Sequence, residues 1–262
     1  MDPASPPGRS LLPREHGAWG QLAMPLLAAL AIGSPSPAAL LLAAAVVLAF
    51  VAHEPLLVLL GQRGRRAREQ DGARARRWLL RLGLAAAATG AGALALAPHE
   101  ARAAVLLPAV LGALVGLLVW RGLETTTAGE IAVASALSSA GFAVARVGGA
   151  SFPAAASALA TWVLAFAAAI LAVQVVLVRS RSRGERDPGR PNAILAAAIG
   201  LAAFGLVAAG LPAVVGWATA PPVVLSIAVC LGRFSARRLR QLGWAIVAST
   251  VVTLVILVAG LA

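Results

Sequence analysis

Residues 38–60 read AALLLAAAVVLAFVAHEPLLVLL, and residues 61–81 follow as GQRGRRAREQDGARARRWLLR. The first stretch is long enough to cross a bilayer, which takes roughly 20 mostly apolar residues. The second packs eight arginines into 21 positions and stops it abruptly. An apolar run ended by an arginine block is the pattern of a membrane helix closing on the cytoplasmic side. Working outward, eight further apolar segments come near spanning length: 18–32, 78–97, 103–120, 131–147, 154–178, 193–211, 213–231 and 242–261. The expected fold is therefore all-α: a polytopic transmembrane helical bundle of about nine helices. Residues 1–13 read as a polar, Pro-rich cytoplasmic tail, and 14–262 as a single transmembrane domain.

Composition agrees with this class. Of the 262 residues, 60% are hydrophobic and 12% charged, far from the balance of a soluble domain. All 22 basic residues are arginine, and the net charge is +12. In a soluble chain such basicity would point to nucleic acid. Here 20 of the 22 arginines fall in alternate gaps between apolar runs, leaving Arg102 and Arg146 on the other side. Orientation and anionic lipid headgroups account for that distribution, so no nucleic-acid partner is expected. The bias places the N-terminus in the cytoplasm and the C-terminus outside. Trp19, Trp78, Trp120 and Trp244 fall at the cytoplasmic ends, where an interfacial aromatic belt belongs. The opening MDPASPPGRS reads as an uncleaved start rather than a signal peptide. Cys230 is the single cysteine, so no intrachain disulfide is available. The Arg-rich ends near Leu60 and Val178 are about 118 residues apart, and those near Trp120 and Gly232 about 112, an interval consistent with two four-helix halves, helices 2–5 and 6–9.

Ionisable side chains inside membrane segments are costly and mark candidate sites. Glu15 and His16 open helix 1, and His53 and Glu54 lie about two turns inside helix 2, just before Pro55. Arg63 follows in the loop. Arg121 closes helix 4, Glu130 opens helix 5, Gln174 sits one turn inside helix 6, and Arg179 and Arg181 close it. All ten belong to the cytoplasmic third, which predicts a polar, mixed-charge cavity open to that side. His53 and Glu54 carry the prediction best, being too short to reach headgroups from their depth. The two His-Glu pairs invite a metal reading, but adjacent helical residues point about 100° apart, so at most one of each pair faces a common ion; no metal site is assigned. The stretch RSRSRGERDPGR, residues 179–190, reads first as a topology determinant and lipid-headgroup contact, with a fork for phosphate as the alternative that its regular spacing after Gln174 allows. No Walker loop, nucleophile elbow or HExxH occurs. The small-residue seams TGAGALALA (89–97) and AVASALSSAG (132–141) read as helix-packing surfaces.

Residues 13–30, PREHGAWGQLAMPLLAAL, resemble the N-terminal signature of the YwiC-like family of bacterial membrane proteins. HEPLLVLL (53–60) with its arginine run, the Gly129-Glu130 pair and the arginine-spaced end of helix 6 resemble it too. The resemblance implies a bacterial inner-membrane location and brings no settled activity or cofactor. A second, architectural resemblance is to the UbiA-type prenyltransferases, which have nine helices and a cytoplasm-facing cavity lined by the inner ends of helices 2 and 6. That family binds Mg²⁺ and an isoprenyl diphosphate through Asp-rich motifs, whereas Asp71 and Asp187 here are isolated. What it implies is therefore an anionic lipid or isoprenoid-phosphate-like ligand gripped by arginine. The alternatives are a small-solute permease coupling protons through His53 or Glu54, and a membrane subunit that binds a partner protein.

Overall fold

The computed structural model describes residues 10–13, 16–181, 188–232, 234 and 238–262; the side chains of His16 and Arg181 are outside that description. Among the described residues the chain forms nine α-helices and no strand: α1 (His16–Ile32), α2 (Pro37–Leu59), α3 (Arg65–Leu96), α4 (Leu106–Trp120), α5 (Thr127–Val147), α6 (Phe152–Arg181), α7 (Gly189–Ala208), α8 (Val214–Leu231) and α9 (Leu239–Leu261). A 3₁₀ turn, His99–Val105, leads into α4. Eight helical segments are long and apolar enough to cross a membrane. The exception, α1, has 17 residues, or about 25 Å at the usual helical rise, short of a hydrocarbon core of about 30 Å.

The largest departure from the sequence reading is α3. Its expected start was Trp78, yet the helix begins at Arg65 and runs 32 residues. The arginine block is helix, not loop. Arginine and alanine are good helix formers, and the block carries its own side-chain ties. Arg65 pairs with Glu69 at 2.8 Å and Arg74 with Asp71 at 3.8 Å, at i,i+4 and i,i+3 spacing. At about 48 Å, α3 exceeds the hydrocarbon core by some 18 Å, so its first turns belong to the headgroup level and beyond.

The most enclosed helix is α6, followed by α5 and α8; α3 and α4 turn most of their surface outward. Both small-residue seams are packing surfaces. Gly90 and Gly92 of α3 lie against Ala45 and Leu41 of α2, and Ala134, Ser138, Ser139, Ala140 and Gly141 of α5 are buried. A Cβ on Gly141 would stand 2.8 Å from the carbonyl oxygen of Pro25, so α1 sits tight on α5 only because that side chain is missing. Helix α8 packs on α6, α7 and α9, whereas α4 packs on α5 and the 3₁₀ turn. The spacing repeat between helices 2–5 and 6–9 is thus not matched by equivalent packing.

Proline inside a helix leaves the carbonyl four residues earlier without its donor. Pro222 does this to Ala218 in α8, and the Thr253 hydroxyl of α9 donates to that carbonyl at 2.8 Å. A neighbouring helix thereby satisfies a backbone group that no water could reach in lipid.

Short connections reverse the chain at each step, which puts the end of α2 beside the start of α3 and the ends of α4, α6 and α8 on that same face. Direct contacts agree. Gln62, after α2, donates to the Val119 carbonyl at the end of α4, and Gln174 near the end of α6 reaches Glu130 at the start of α5. The arginine-bearing ends therefore share one face of the bundle.

Candidate functional site

The end of α2 explains how Arg63 reaches back into the helix. Gly61 takes φ 79°, its N–H donates to Val58 at 3.1 Å, and the Gln62 N–H donates to Leu57 at 3.0 Å. This is the Schellman closure of a helix, which needs a residue at positive φ. Gly64, at φ 94°, turns the chain again into α3. Between the two glycines Arg63 folds over the last turns of α2 toward Glu54. Its Nε donates to Glu54 Oε1 at 2.9 Å and its Nη2 to Oε2 at 2.6 Å. The result is a two-bond fork, the strongest form of arginine–carboxylate pairing.

Burial makes the pair asymmetric. Glu54 is 3% exposed and Arg63 30%. A buried carboxylate without its partner would be heavily penalised, so Arg63 is what permits a charge at that depth of α2. Both carboxylate oxygens face the guanidinium, an arrangement that uses Glu54 as an anchor for arginine rather than as a ligand for a metal. His53, beside it, is half-buried.

The other predicted residues fall into separate groups. The Gln174 amide donates to Glu130 Oε2 at 2.9 Å, joining α6 to α5, and Glu130 lies in the first turn of α5, where a carboxylate favours the helix dipole. Arg179 is directed at backbone carbonyls of α8. Its Nη1 donates to the Gly232 carbonyl at 2.6 Å and Val229 at 3.3 Å, and its Nη2 to Cys230 at 2.7 Å. One guanidinium caps the carbonyl end of α8. Arg121 follows α4 with its side chain exposed. Glu15, and the side chains of His16 and Arg181, lie outside the described residues. Helix α5 packs on both α2 and α6, and the Glu54 and Arg179 groups have separate partners.

Three features had weaker sequence signals. Gln62 is lost among arginines, yet it ties the α2–α3 turn to α4. Glu124, in the α4–α5 connection, has a buried Oε2 with no hydrogen-bond partner among the described residues. Leu11, within the stretch read as polar tail, is buried against Val58 and Ala75. The signal for Leu11 was an apolar pair, Leu11-Leu12, standing in a polar surround.

Among the described residues, no three His, Cys, Asp or Glu side chains gather as a metal centre would require. Asp71 is held by Arg74 along α3, and Asp187 lies outside the described residues. Two shallow apolar clefts indent the bundle away from the arginine-bearing face, one between α1 and α9 along Leu27 and Leu254, the other around Pro37 and Leu96. Neither includes the Glu54–Arg63 pair.

No curated protein and no solved structure matches the chain. A family model described as YwiC-like protein matches residues 12–145, just over half of the chain and all of α1 to α4 with most of α5. That span contains the Glu54–Arg63 fork, Arg121 and Glu130, while Gln174 and Arg179 lie beyond it. With its multi-pass helical architecture and a match over that length, the chain belongs to the YwiC-like family.

Proposed function

We propose that this protein is a bacterial inner-membrane protein that binds an anionic lipid headgroup, or an isoprenoid-phosphate-like ligand, at its cytoplasmic, arginine-bearing face. Arg63 is the anion-binding group. The observation that carries the reading is the asymmetry of the ion pair: a buried carboxylate holds a partly exposed guanidinium in a fixed orientation. Planar, permanently charged and weakly hydrated, arginine is suited to phosphate. Around it, Arg65, Arg66, Arg68, Arg76 and Arg77 are exposed on α3 and raise the local concentration of anions. Trp78 and Trp120 are exposed at the same end, where an interfacial belt fixes depth.

Binding of this kind exchanges one anion for another. A headgroup phosphate competes with Glu54 for the guanidinium, or shares it, and the ligand's chains lie along the apolar outer faces of α3 and α4. Mass spectrometry of lipids and small molecules co-purifying with the full-length protein tests this. Wild type retains an anionic lipid or phosphate-bearing isoprenoid that Arg63→Ala loses. An identical set of molecules from folded wild type and Arg63→Ala would contradict the reading.

A further inference from the structure

One stripe of α2 carries three unlike side chains at i, i+4 and i+8: Phe50, Glu54 and Val58. Each has a partner from outside the helix. The Trp19 ring meets Phe50 edge-on, with centroids 5.0 Å apart. Arg63 grips Glu54. Leu11 covers Val58 and, across on α3, Ala75, both fully buried. Leu11 and Trp19 therefore bracket Glu54 along the same face, one at each side of it.

Leu11 is 3% exposed while Leu12 next to it is 49% exposed, so a single side chain is seated there rather than a packed segment. The remaining ties are light. Residues 10–13 have no regular secondary structure, Leu12 N–H donates at 3.3 Å to its own neighbour Ser10, and the Pro13 carbonyl accepts from Trp19 Nε1 at 3.1 Å. Proline has no N–H to add. Among the described residues, residues 10–13 are tied to the helices by one apolar seat and one hydrogen bond.

We infer that residues 10–13 are a strap, plugged by Leu11, that closes the arginine-bearing end of the α2–α3 hairpin and opens to admit a ligand to Arg63. The inference deepens the headgroup reading and rests on it for the ligand, but its geometry stands without one. The strap gives the start of the chain a role that a polar tail lacks.

Thiol access measures the strap directly. In full-length protein carrying Cys230→Ala, Val58→Cys places a thiol under Leu11, and N-ethylmaleimide reports its exposure in detergent micelles. The expected result is slow, measurable modification with Leu11 present and at least tenfold faster modification with Leu11→Asp, while Leu11→Met keeps the slow rate. Leu11→Ala, a milder change, gives an intermediate rate and carries the test if Leu11→Asp does not fold. Equal rates with and without Leu11, whether fast or slow, would overturn the strap. Lipid retention by Arg63→Ala reports on the headgroup separately, so a strap that opens over a site holding no lipid would refute only the headgroup reading.

Discussion

Glu54 and Arg63 form the pair on which the account turns, and their energetics follow from burial. Breaking a buried ion pair by removing one partner costs about 3–5 kcal/mol; with Arg63 30% exposed, screening lowers the expected cost to about 1–3 kcal/mol. Glu54→Gln should lower the thermal midpoint in detergent. The Glu54→Gln and Arg63→Gln pair should be non-additive in a double-mutant cycle, and additivity within about 0.3 kcal/mol would show that the fork contributes nothing. Arg179 makes a contrasting prediction. Because it caps α8 through three carbonyls, Arg179→Ala should speed amide exchange in the last turn of α8 and leave lipid retention unchanged. That Glu54 is buried and needs a partner was legible in the sequence, because its depth and residue type require one. The cap role of Arg179 was not, since an arginine after an apolar run looks alike whether it faces phosphate or a neighbouring helix's carbonyls.

At the scale of single helices, α8 and α3 show what periodicity hides. The Pro221-Pro222 pair lies inside α8, and Thr253 of α9 supplies the donor that the Ala218 carbonyl loses. Thr253→Val should then destabilise the bundle by about 0.5–2 kcal/mol, the range for interhelical hydrogen bonds in membranes, while Thr253→Ser stays near wild type; equal stabilities would remove that role. For α3, cysteines placed singly from position 65 to 77 should show spin-label mobility with a helical period of about 3.6 residues. A flat profile would restore the loop that hydropathy led one to expect. The arginine block was misread because a hydropathy window sees charge and not helix propensity. In this stretch the two point to different structures.

For the whole molecule, the nine-segment pattern was readable because each apolar run is bounded by proline, glycine or arginine, and the arginine alternation assigns every end to a face. What the sequence did not carry is who touches whom. Helix α5 packs on α1, α2, α4 and α6, and its close approach to α1 is a matter of a small residue, Gly141. Gly141→Val should push α1 off α5 and lower the yield of monodisperse protein, whereas a change at Gly112, which has open space around it, should not. The same alternation predicts the orientation. A cysteine replacing Arg76 should react with an impermeant maleimide from the cytoplasmic side and one replacing Gly149 from the other, and the reverse pattern would invert the topology.

The central claim, that Arg63 presents a charge to an anionic headgroup, is tested most directly in lipid nanodiscs of equal phosphatidylglycerol and phosphatidylcholine. The measurement is the ratio of the two lipids that stay on the protein when it is released for native mass spectrometry. The account predicts enrichment of phosphatidylglycerol on wild type, partial enrichment on Arg63→Lys and none on Arg63→Ala. Equal enrichment on wild type and Arg63→Ala, with both folded, would contradict it.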